Sequence, residues 1–219
     1  MSKYVYTTTR TISAFLLGVF SLAFSGTSLA DTSPERTWPE SRMNQRDGLG
    51  FGLGVAPLVG AHVFYDHNLS GYSQLHIQAN FNTGSAESIF GTSKIKATRE
   101  MLFATYRYFF TPNSGFYVGA GAGYADSKLE YSSTDFFSIA QNQYSSKMSG
   151  VFVLGEIGWQ GRDGYYFHVG LQPATYIQKS DNYDVNNIPN ISNHRSTAND
   201  YHNYQKELSQ LTLGFGWFF

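Results

Sequence analysis

The chain reads as an all-β protein, an eight-stranded antiparallel up-and-down transmembrane β-barrel, and three observations predict it. The first is the closing stretch Leu211 to Phe219. There Leu211, Leu213, Phe215, Trp217 and Phe219 share one parity, while Thr212, Gly214 and Gly216 share the other. A strand points successive side chains to opposite faces, so one face here is wholly apolar and the other small or polar. The second observation is that such alternation recurs in segments of about the 9–11 residues that a tilted spanning strand requires. The third is composition: aromatic residues make up 17% of the chain and charged residues only 14%. After the leader, however, no apolar run is long enough for a helical span, and a closed barrel is the remaining way to satisfy backbone polar groups in lipid.

The leader comes first. Residues 1–30 have the pattern of a secretory signal peptide: Lys3 and Arg10 in a basic n-region, an apolar core from Ile12 to Phe24, and Ser28-Leu29-Ala30 as a small-x-small cleavage site. The apolar core is shorter than the roughly 20 residues of a spanning helix, and no cysteine follows it to carry a lipid anchor. Processing after Ala30 leaves 13 of the 15 basic residues against 16 acidic ones, a formal charge of −3. That balance gives no electrostatic footprint for nucleic acid. The absence of cysteine rules out disulfides, thiolate metal sites and a cysteine nucleophile.

Residues 31–47 form a polar, proline-bearing periplasmic segment, and the barrel is expected over 48–219. Its strands follow by parity. Leu49, Phe51, Leu53 and Val55 alternate with Gly48, Gly50, Gly52 and Gly54. Val59, Ala61, Val63 and Tyr65 alternate with Gly60, His62, Phe64 and Asp66. Leu75, Ile77, Ala79 and Phe81 oppose Gln74, His76, Gln78, Asn80 and Asn82. In the fourth segment Leu102, Ala104, Tyr106, Tyr108 and Phe110 oppose Met101, Phe103, Thr105, Arg107 and Phe109. The fifth sets Phe116, Val118, Ala120, Ala122 and Tyr124 against Tyr117 and three glycines. The sixth sets Val151, Val153, Ile157 and Trp159 against Phe152, Leu154, Glu156, Gly158 and Gln160. In the seventh, Tyr165, Phe167, Val169 and Leu171 oppose Tyr166, His168, Gly170 and Gln172. The closing stretch is the eighth.

Connections alternate in length. Asp66 to Gly71, Thr111 to Ser114 and Gly161 to Gly164 are tight turns rich in Gly, Pro, Asn, Asp and Ser. Gly84 to Lys94, Ser127 to Ser146 and Lys179 to Lys206 are long links, expected to be surface loops. Short periplasmic turns alternating with longer extracellular loops are the pattern of outer-membrane barrels. Tyr65, Phe110, Phe116, Trp159, Tyr165, Trp217 and Phe219 fall near one rim, and Tyr124, Tyr131 and Tyr176 near the other, as interfacial girdles would. A lipocalin-like soluble barrel would instead turn its apolar face inward.

On these residues the chain resembles the small eight-stranded bacterial outer-membrane β-barrel proteins typified by OmpX, the OmpA transmembrane domain and the opacity-like barrels. The resemblance covers about Gly48 to Phe219 and is architectural. It implies the outer membrane of a Gram-negative bacterium, with outer-membrane lipid and lipopolysaccharide as surroundings. It also implies that Phe215, Trp217 and Phe219 serve as the terminal signal read by the outer-membrane assembly machinery.

Eight strands enclose an interior just wide enough to be filled by side chains, so a packed lumen without a diffusion pore is expected. Arg107 and Glu156 point inward at similar heights, and a buried charge needs a partner. An Arg107–Glu156 pair is therefore expected, in a polar lumen network with His76, His168 and Asp66. No spacing of His, Asp or Glu matches a metal-ligand motif, and neither metal nor cofactor is expected.

The main rival is an enzyme of the lipid-A deacylase type, since His194-Arg195-Ser196 followed by Glu207 resembles that family's His-x-Ser motif and later Glu. His194 and Ser196, however, lie deep in an Asn/Ser/Asp-rich link, whereas that motif sits on a strand. A small-solute channel is a further alternative, disfavoured by the strand count. The long links are charge-balanced, with Lys179, Arg195 and Lys206 against Asp181, Asp184 and Asp200. They carry no basic cluster for a polyanion. The reading is a monomeric, non-enzymatic barrel for envelope structure, surface interaction or adhesion, with any extracellular ligand meeting the loops.

Overall fold

The computed structural model describes residues 46–55, 58–87, 93–110, 115–134, 141–161, 165–182, 200, 202–203 and 205–219. The expected signal peptide, residues 1–30, and nearly all of the expected segment 31–47 lie outside the described residues. The strands are β1 (Asp47–Val55), β2 (Val59–Asn68), β3 (Ser73–Glu87), β4 (Ser93–Phe109), β5 (Phe116–Thr134), β6 (Gln141–Gln160), β7 (Tyr165–Gln172), β8 (Ala174–Asp181) and β9 (Gln210–Phe218). Every pairing is antiparallel.

β7 and β8 are two halves of one barrel strand. Pro173 has no N–H to donate, which leaves one bond of the ladder unmade between them. Gly155 N still donates to Pro173 O at 2.9 Å, and the register against β6 runs on unchanged from Ile157↔Leu171 to Leu154↔Ala174. A shift follows at Val151/Phe152, where Val151 pairs Gln178 and Phe152 pairs Tyr176, leaving Ile177 as an extra residue. Counted this way, eight strands close in a ring, because β1 pairs β9 from Gly48↔Phe218 to Val55↔Leu211. Phe219 N donates to Asp47 O at 2.8 Å, which extends that seam by one more residue.

The two faces match the alternation in the spanning segments. Phe51, Leu53, Val63, Phe81, Leu102, Tyr106, Phe116, Tyr124, Ile157 and Leu171 are all exposed on the outside. An apolar belt this continuous fits hydrocarbon rather than water. Inside, His62, Asp66, Gln74, His76, Gln78, Asn80, Arg107, Glu156 and His168 are buried. Among the described residues, no helix is long and apolar enough to cross a membrane.

Three differences from the sequence reading concern the long links. β3 and β4 pair out to Glu87↔Lys94, and β5 and β6 out to Thr134↔Gln141. Most of Gly84 to Lys94 and Ser127 to Ser146 is therefore strand, not loop. Lys179 to Lys206 likewise begins inside β8 and ends in residues with helical backbone at Gln205 and Lys206. The second girdle is also smaller than expected: Tyr124 faces out, but Tyr131 is buried and Tyr176 packs against an interior cluster. Tyr131 keeps the parity of Tyr117, which is the inward parity of β5.

The pattern inverts along these strands. In the spanning part the outside is apolar and the inside polar. Beyond it, Ile95, Leu129 and Tyr131 cluster on the inner face, with Ala97 packed against them. The outer face there is charged, with Lys128 to Glu130 at 2.6 Å and Lys147 to Asp126 at 2.8 Å. The hydrogen bond from Lys128 holds the Glu130 carboxyl below its ordinary range. The inverted segment is a water-exposed sheet standing on top of the barrel.

Candidate functional site: the lumen network and its lid

Glycine in β1 and β9 sets the shape of the interior. Gly52 is the register partner of both His62 and Gly214, and Gly214 of His168. One layer nearer the short-turn end, Gly50 partners Phe64 and Gly216, and Gly216 partners Tyr166. Each layer thus runs ring–Gly–Gly–ring across four strands, and the rings fold over the glycines. A Cβ on Gly214 would lie 2.2 Å from His168 Cε1, and one on Gly50 would lie 2.2 Å from Phe64 Cζ. Here the missing side chains are what let the lumen hold aromatic rings.

The remaining strands supply the polar network. Arg107 (β4) donates through Nε to Glu156 Oε2 at 2.9 Å and through Nη2 to Glu156 Oε1 at 2.6 Å. This two-point contact matches the fork geometry of guanidinium and carboxylate. Arg107 Nη1 reaches Asp66 Oδ1 and Gln74 Oε1, each at 3.2 Å, and the guanidinium sits 4.6 Å from the centre of the Tyr117 ring. Glu156 also accepts from Thr105 Oγ1 (3.1 Å), Tyr117 Oη (3.1 Å) and Gln172 Nε2 (3.0 Å). Asp66 meets His76 Nδ1 at 2.6 Å and accepts from the Tyr166 hydroxyl. β2 to β7 therefore all contribute to one cross-brace.

Chemically this is a satisfied ionic network rather than a reaction centre. Each oxygen of both carboxylates accepts at least one hydrogen bond, and Arg107 spans the distance between them. His168 is at the same end of the lumen, yet neither of its nitrogens finds a hydrogen-bond partner among the described residues, and the same is true of His62. No group of three or more His, Cys, Asp or Glu among the described residues is placed to hold a metal ion. Of the enzyme-type residues, His194 and Ser196 lie outside the described residues. Glu207 is exposed, and its Oε1 accepts from Ser209 N at 3.1 Å.

Two sets of residues that sequence reasoning missed seal the interior at the end remote from the short turns. Arg99 is buried one inward position beyond Met101, donating to Ser127 Oγ at 3.2 Å and to Gln205 O at 3.3 Å. Ser146 Oγ donates to Gln205 Oε1 at 3.0 Å, and Leu208 packs into a buried cluster with Met101, Phe103, Ala125, Phe152 and Leu154. The segment leading into β9 is thus a lid seated in the mouth. His202 Nε2 stands 3.1 Å from Asp181; burial pushes the imidazole below its ordinary range and the Asp181 charge opposes that shift. The available sequence signal was the inward parity of Arg99 and Ser127, which continues that of Met101 and Tyr117. At the other end, Tyr166 stacks on Phe218 at 4.4 Å, and Phe109 packs against Tyr117 at 5.5 Å with its ring tilted by 58°.

No family model matches the chain, and no curated protein matches it by sequence. Solved structures do match. Ail, the attachment invasion locus protein of Yersinia pestis, superposes with a TM-score of 0.50 at 9% identity, covering 80% of this chain and 97% of that one. CarO of Acinetobacter baumannii gives a TM-score of 0.45 at 15% identity, with 78% and 97% covered. The N-terminal barrel of Pseudomonas aeruginosa OprF gives 0.38 at 15% identity, with 79% and 96% covered. At such identities the likeness speaks for the fold alone. The ring of eight antiparallel strands, the apolar belt and the filled polar lumen give this chain the fold of the small eight-stranded outer-membrane β-barrels.

Proposed function

We propose that the protein is a non-enzymatic outer-membrane barrel of a Gram-negative bacterium that works through the sheet it raises beyond the membrane. The observation that carries this reading is the combination of a lumen closed at both ends with β4, β5 and β6 ladders that continue past the apolar belt. A filled barrel transports little, whereas a rigid sheet with an alternating charged face presents fixed contacts to a partner. Strands hold such groups more accurately than loops do. The attachment for which the Yersinia pestis protein is named is in keeping with surface interaction. In this reading the lipid surroundings are lipopolysaccharide outside and phospholipid inside, and the short turns face the periplasm.

The test removes the raised hairpin and leaves the barrel. Leu129 and Ser146 are register partners, so deleting Glu130–Ser145 and joining them through Asn-Gly provides a two-residue turn. The shortened protein is expected to keep heat-modifiable gel migration and surface level. Attachment of cells expressing it to protein-coated surfaces should fall to that of cells lacking the protein. Undiminished attachment with the hairpin gone would contradict the proposal.

A further inference from the structure

We propose that the break in the barrel wall between β8 and the lid is a binding site for a single-chain anionic amphiphile, a medium-chain carboxylate. The wall is paired up to Gln172↔Gln210. Beyond that pair β8 keeps β6 as its neighbour, but among the described residues no strand pairs with its other side. Ala174 N still reaches across to Ser209 Oγ at 3.2 Å. From there the lid runs beside β8 without a ladder and takes helical backbone at Gln205 and Lys206.

The break falls where the outer face is still apolar. Ile177 on β8 is 64% exposed, and Leu171 before the proline is 51% exposed. Unladdered backbone at membrane depth is tolerated where protein covers it or where it lines a cavity. Here it lines a recess of about 250 Å³, bounded by Thr175 to Lys179 on β8 and by Lys206 on the lid.

The two sides of the recess select the ligand. Behind it the polar lumen turns apolar: Met101, Phe103, Phe152 and Leu154 form the cluster that Leu208 caps. Tyr176 packs against that cluster and also lines the recess, so it is a wall common to both. Leu208 is a plug seated by hydrogen bonds to its neighbour Gln205, from Arg99 and Ser146, rather than by strand pairing. A methylene chain that lies along Tyr176 and takes the place of Leu208 exchanges one apolar contact for another, so little burial is lost. At the rim, Lys179 and Lys206 supply two positive charges. The neighbouring carboxylates are engaged elsewhere, Asp181 by His202 and Glu207 by Ser209 N, each at 3.1 Å. An apolar slot with a few charged groups at one end suits an amphiphile. A recess of this volume admits one chain and not the several of a lipopolysaccharide.

The test uses the whole protein in nanodiscs of zwitterionic phospholipid, because detergent would compete for the site. The probe is decanoate carrying a terminal diazirine, at mildly alkaline pH, where its carboxylate is ionised. Photolabelling is expected to saturate, with the label on Tyr176, Ile177 and the lid around Leu208. Decanoate should displace the probe about tenfold better than decanol, the scale of two exposed charge contacts, and added lipopolysaccharide should not displace it. Lys179→Gln/Lys206→Gln is expected to weaken binding by a similar factor and to erase the preference over decanol. Lys128→Gln/Lys147→Gln on the raised sheet should change neither. All four lysines are exposed, so their replacement leaves the fold intact. Labelling that never saturates and spreads around the apolar belt would overturn the proposal. So would equal displacement by decanol, displacement by lipopolysaccharide, or full binding in the Lys179→Gln/Lys206→Gln variant.

Discussion

Arg107→Met is expected to lower the stability of the refolded barrel by about 3–5 kcal/mol, the usual consequence of removing one partner from a buried ion pair. The loss has a definite origin. Glu156 forfeits its two-point contact and Asp66 its guanidinium contact, so two carboxylates are left in a closed lumen at once. Glu156→Gln is expected to cost less, because Arg107 keeps Asp66 and Gln74 as acceptors. In the double variant Arg107→Met/Glu156→Gln, part of the first loss returns, since one stranded charge is gone. Only part returns, because Asp66 remains with His76 and Tyr166 alone. Urea unfolding in lipid vesicles reads the series. Strictly additive losses in the double-mutant cycle would show that the two side chains do not interact.

Gly52→Ala is expected to prevent the barrel from closing. The added Cβ would fall 2.1 Å from Leu213 O and 2.7 Å from the Cα of Gly214. Those are backbone atoms of the closing strand, which cannot turn aside. Truncating the neighbouring ring with His62→Ala therefore does not rescue it. Gly214→Ala meets His168 instead, at 2.2 Å from Cε1. It is expected to cost about 1–3 kcal/mol, the range for overpacking a filled core, and His168→Ala in the same chain should recover most of that. The yield of heat-modifiable protein measures both effects. Rescue of Gly52→Ala by His62→Ala would mean that the seam backbones stand further apart.

The spanning strands were legible because lipid outside and a polar lumen inside enforce a period of two with constant sign. Leu75 to Phe81 against Gln74 to Asn82 needed nothing but parity. Arg107 and Glu156 were legible for the same reason: charged residues on the inward parity, at matching heights, leave few alternatives to pairing. The raised sheet escaped the reading because the sign reverses above the membrane. Lys94 and Lys96 stand on the outer face of β4 and Ile95 on the inner one. A search for outward apolar residues therefore ends at Leu102 and Tyr124. The lid escaped it for a different reason. Gln205 and Leu208 reach their partners Arg99 and Met101 across the barrel mouth, at long sequence separation. Periodicity reports which way a side chain points, but not what a distant segment brings to meet it. Similarly, the alternating glycines of β1 and β9 marked a small face, while the rings that fold over them belong to β2 and β7.

The central claim is a closed barrel whose lumen is filled from the Tyr166–Phe218 stack at one end to the Leu208 cluster at the other. Conductance across a planar lipid bilayer tests it most directly, with refolded protein that has been purified as the compact, unboiled species and shown to have inserted. The account predicts no stable ohmic steps above the bare-bilayer baseline. Reproducible unitary conductance from that species would contradict it, because ions would then be crossing a lumen that these side chains are held to fill.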